Sequence, residues 1–114
     1  MKLIPEVEFL RSRFQESAME HIRLEIEIAL TFVGLGRVEY GMGSIEAGST
    51  SFYHARQALT GARRGLSHLA DESHRARFES KIVEVEAALT YELIRSERCA
   101  PLPPDVSDKH LASF

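Results

Sequence analysis

The stretch Leu69-Ala70-Asp71-Glu72-Ser73-His74-Arg75-Ala76-Arg77-Phe78 decides the architecture. On its C-terminal side Phe78, Ile82, Val85, Leu89 and Leu93 recur at helical spacing and form one apolar face. On its N-terminal side Ile45, Phe52, Ala55, Leu59, Ala62, Leu66 and Leu69 form another. Leu69 and Phe78 are separated by about 900° at 100° per residue, so an unbroken helix would turn the two stripes to opposite sides. A turn within residues 70–73, capped by Asp71 or Ser73, lets both face one core. The stretch therefore predicts two helices, over about 45–70 and about 73–98.

Upstream, Val7, Leu10, Phe14, Ala18, Ile28, Phe32 and Leu35 fall in one angular sector, so a single helical phase runs from about residue 6 to about residue 40. That is one helix on the order of 50 Å long, or two with a subtle break near Gly34. Pro5 suits a first helical turn, where its missing N–H is not needed. Gly41-Met42-Gly43-Ser44 stops the helix and offers Ser44 as the next cap. Pro101, Pro103 and Pro104 end the helical part. The expected fold is all-α: a three-helix antiparallel bundle over residues 1–98, with a long first helix, followed by a proline-rich tail over 99–114.

Composition narrows the class. With 114 residues, 44% hydrophobic and 27% charged, the chain has enough apolar surface for one core and is neither disordered nor a disulfide scaffold. A net charge of −3 argues against a dedicated nucleic-acid binder. The basic groups Arg56, Arg63, Arg64, Arg75, Arg77 and Lys81 do gather around the second turn, and phosphate or RNA would be their ligand. A lone cysteine, Cys99, fits a reducing compartment. No signal-peptide core follows Met1, and charges interrupt every apolar run, so no membrane segment and a cytoplasmic location are expected.

From Phe32 the chain reads Phe32-x-x-Leu35-Gly36, then Gly43 and Ile45, then Gly48-x-x-x-Phe52 and Ala55. This resembles one degenerate tetratricopeptide repeat over about residues 29–62. Glu39 stands where the family has Tyr, and Thr60 where it often has Pro. The resemblance implies a helical hairpin whose small residues, Gly36 and Gly48, allow a close crossing.

Two features of the first helix are candidates for function. His21 and Glu25, four residues apart on the main stripe together with Glu39, could form a metal or small-ligand pair in the core. The other reading is a structural His–Glu bond, or a stripe end exposed to solvent. Second, Met19, Ile22, Ile26, Leu30, Val33 and Tyr40 make a further apolar face, covered either by the two neighbouring helices of the bundle or, as the favoured expectation, by a second subunit in a homo-oligomer. Catalytic spacings such as Gly-x-Ser-x-Gly or His-Glu-x-x-His do not occur. The expectation is a non-catalytic, self-associating protein-interaction module with no cofactor; the alternative is a small ligand- or metal-binding sensor or enzyme using His21 and Glu25.

Overall fold

The computed structural model describes residues 4–99 as three helices: α1 (Pro5–Gly41), α2 (Ile45–Leu66) and α3 (Glu72–Cys99). Proline at the first position and Glu6 and Glu8 in the first turn suit the positive end of α1. The helix then runs without a break past Gly34. It ends in a Schellman arrangement: the Ser44 N–H donates to the Glu39 carbonyl at 2.8 Å and the Gly43 N–H to the Tyr40 carbonyl at 3.0 Å. Gly43 carries φ of +86°, the left-handed conformation that closing such a motif requires. Ser44 occupies the α2 cap position, although its hydroxyl makes no capping bond.

The decisive stretch does contain the turn. α2 stops at Leu66, four residues earlier than expected, because 3₁₀-type bonds from His68 to Gly65 and from Leu69 to Leu66 tighten its end. Asp71 is the cap of α3: its Oδ1 accepts from the His74 N–H at 3.0 Å and from the Ser73 hydroxyl at 2.7 Å. Gln15 on α1 then clamps the turn with both ends of its amide. Its Nε2 donates to the His68 carbonyl at 2.9 Å, and its Oε1 accepts from the Ala70 N–H at 2.8 Å. The helices run up, down and up, as Tyr40 bonding Ser49, Gln15 bonding the second turn and Arg63 bonding Glu86 require.

The core corrects the expected orientation of α1. Ile22, Ile26, Ala29, Val33 and Gly36 are its buried residues, whereas Leu10, Phe14, Ile28 and Leu35 of the expected stripe are exposed. The cause lies in α2, whose glycines receive what α1 projects. A Cβ on Gly36 would stand 2.5 Å from the Phe52 ring, and one on Gly65 would stand 2.7 Å from Ile22. A Cβ on Gly48 would overlap Tyr40, and one on Gly61 would overlap Glu25. The α1–α2 contact is therefore a glycine- and alanine-lined crossing, with Ala29 facing Ala55, Ala58 and Ala62 in the same core. Phe52, Leu59 and Leu66 of α2, with Leu69, meet Ile82, Val85 and Leu89 of α3 to complete it. The proline-rich tail of the sequence reading lies outside the described residues.

Candidate interaction surface

The residues expected to form the interface separate into three groups. Ile22, Ile26 and Val33 lie in the intramolecular core and are withdrawn from any surface. Met19 and Tyr40 are half-buried against that core. Tyr40 stacks on Phe52 with ring centroids 5.5 Å apart and shares a hydrogen bond with Ser49 at 2.8 Å. Only Leu30 is exposed. The expected interface is thus the side by which α1 joins its own bundle.

The structure also moves the candidate ligand residues out of the core. His21 is exposed and Glu25 half-buried over Gly61, so neither lies in the core. Glu39 sits about 21 Å along the helix from Glu25 and accepts a hydrogen bond from the Ser51 hydroxyl at 2.6 Å. Among the described residues, no three His, Cys, Asp or Glu side chains gather closely enough to hold a metal ion. The structure does not bring His21, Glu25 and Glu39 together.

The basic turn is neutralised in part from within, at Arg63 and Arg75. Arg63 makes a two-pronged bond to Glu86, at 2.7 and 2.6 Å, with Glu79 at 3.6 Å. This pairing raises the Arg63 guanidinium pKa and holds the Glu86 carboxyl below the usual range. Arg75 binds Glu72 and the Leu69 carbonyl. Two of the cations that would grip a phosphate backbone are therefore committed to neighbouring acceptors.

The exposed large apolar side chains are concentrated on α1, with Tyr53 on α2 and Val83, Tyr91 and Ile94 on α3. Because Gln15 fixes the second turn at its own level, residues 5–14 extend past the end of the α2–α3 pair, carrying exposed Phe9, Leu10 and Phe14. Farther along, Leu24, Ile28 and Leu35 stand in solvent on the side of α1 away from its buried residues. Phe14 meets His68 edge-on with centroids 6.0 Å apart, and Phe32 lies 5.1 Å from His54, so His54 of α2 and His68 of the α2–α3 turn border this surface.

A second site went unread in the sequence. Glu92 and Ser96 are buried on α3, and the Glu92 carboxylate sits 3.9 Å from Arg37 and 3.6 Å from Arg95. With Tyr40, Gly41 and Ile45 they line a cleft of about 130 Å³ at the upper end of the bundle. The signal was available: Glu92 and Ser96 extend the stripe through Val85 and Leu89 at spacings of three and four. No protein-family model, curated protein or solved structure matches this chain.

Proposed function

We propose that this protein is a non-catalytic helical interaction module that self-associates. One observation carries the reading: large apolar side chains remain exposed along α1 after its opposite side has been used to build the core. A row of large exposed apolar side chains on a folded domain is characteristic of association sites. The close α1–α2 crossing supports the tetratricopeptide-like reading of residues 29–62. A lone hairpin has no neighbouring repeat to stack on, which leaves its outer side available. Among the described residues no helix is long and apolar enough to cross a membrane. The lone Cys99 supports placement in the reducing cytoplasm.

The test is absolute mass by light scattering on a sizing column across a range of protein concentrations. The expected result is a mass above that of one chain, falling toward it on dilution. A single-chain mass at every concentration overturns the reading.

A further inference from the structure

The exposed side of α1 has a period of its own. Leu10, Phe14, Leu24, Ile28, Leu35 and Val38 are between 41% and 64% exposed. All six fall on one alternation of threes and fours, 10-14-17-21-24-28-31-35-38, which continues to the half-buried Val7 and the exposed Met42. This is a heptad seam, apolar at two positions in seven, and it runs nearly the whole length of α1. A 3.5-residue period drifts by about 20° per heptad on a straight helix, which is the geometry of two helices supercoiling around each other. The buried residues Ile22, Ile26, Ala29, Val33 and Gly36 lie on the other side of α1. The seam is therefore largely additional to the bundle, which borders it where Phe14 meets His68 edge-on and where His21 lies beside Gly65.

We propose that this seam packs antiparallel against the same seam of a second copy. The proposal rests on the self-association reading above and specifies its surface. Three polar positions interrupt the seam: Ser17, His21 and Thr31. In a parallel pair each would meet its own copy, leaving three polar layers. In an antiparallel pair with Leu10 level with Leu35 of the second copy, Ser17 meets Ile28, His21 meets Leu24, and Thr31 meets Phe14. Every layer then holds at least one large apolar side chain, and Val7 lands on Val38. A shift of one heptad in either direction loses this, because His21 then meets Thr31 or Ser17. Shifts of two heptads restore apolar layers but shorten the overlap to residues 17–42 or 7–24, so the register with Leu10 level with Leu35 is the longest that pairs every polar position with an apolar one.

Its size is sufficient. Residues 7–38 span about 47 Å, and a strip one helix diameter wide over that length covers about 500 Å² on each copy. The pair buries about 1,000 Å², the floor for a biological interface and in the range of weak, reversible ones. The same register gives the projecting residues 5–14 a partner: they lie along the second copy's Thr31, Leu35 and Val38, where their own chain offers the edge contact of His68 on Phe14.

The test combines charge insertion with cross-linking in the full chain. Leu35→Glu and Leu10→Glu each place carboxylates in the seam, and each should weaken the dimer by more than about tenfold. Both positions are exposed in the single chain, and unchanged helical circular dichroism confirms folding. Leu30→Glu, equally exposed but off the seam, should leave the dimer intact. On a Cys99→Ser background, a short bismaleimide should join Leu10→Cys to Leu35→Cys chains when the two are mixed. It should join neither variant to itself, since like positions lie about 38 Å apart in the antiparallel pair. A wild-type chain with single-chain mass overturns both the functional reading and the seam. A dimer indifferent to Leu10→Glu and Leu35→Glu leaves self-association standing and overturns the seam. Self-linking of Leu10→Cys overturns the antiparallel register.

Discussion

Gly36 and Gly34 occupy the same helix two residues apart and have opposite consequences. At Gly36 an added methyl would meet the face of Phe52 at 2.5 Å, and that ring is itself fixed between Gly36 and the stacked Tyr40. At Gly34 nothing stands within 4 Å of the same methyl. Alanine is favoured over glycine in a helix by about 1 kcal/mol, and overpacking a filled core costs about 1–3 kcal/mol. Gly34→Ala should therefore stabilise the fold by up to about 1 kcal/mol. Gly36→Ala should destabilise it by up to about 2 kcal/mol, the overpacking cost less the helix gain. Denaturant midpoints at equal slope measure both. A Gly36→Ala midpoint at or above that of the wild type would mean that Phe52 yields freely, and that the close crossing does not depend on glycine.

The start of α3 shows an element held by one side chain. Asp71 accepts the His74 N–H and the Ser73 hydroxyl, and these bonds to its charged form hold its carboxyl below the usual range. A depressed folded pKa contributes stability that is complete above the unfolded value and is lost as pH falls through the folded one. Asp71→Ala should lower the melting temperature at neutral pH and flatten its decline through the acid range. An unchanged acid limb would show that the cap bonds contribute nothing. This cap was legible in the sequence because Asp precedes a helical stripe after a phase break, a signal confined to a few residues. The orientation of α1 was not. Patterning gives weight to large apolar residues, and α1 has them on two sides. The side that packs is chosen by Ala29 and Gly36, together with Gly48, Gly61 and Gly65 across the crossing, because small residues let the axes approach. Leu10, Ile28 and Leu35 remain outside for want of such partners. Glu92 and Ser96 escaped notice for the converse reason, being polar residues at core-facing spacing.

At the scale of the whole molecule the helices are unequal in length, and the inequality has a thermodynamic consequence. α1 has 37 residues and α2 has 22. The clamp at Gln15 places the deficit at the N-terminal end of α1. Helix ends with few buried contacts open most easily, so residues 5–14 should fray from the N-terminus in an isolated copy. In the antiparallel dimer the same residues are packed, and their amides should exchange slowly. Hydrogen exchange read by mass spectrometry should therefore show concentration-dependent protection of residues 5–14, abolished in Leu35→Glu. Residues 22–33, at the centre of the intramolecular core, should stay protected in both states. Equal protection of residues 5–14 in the dimer and in the monomeric variant would mean that the second copy does not cover them. The asymmetry between the two segments is what distinguishes a seam shared with a partner from one that only decorates the surface.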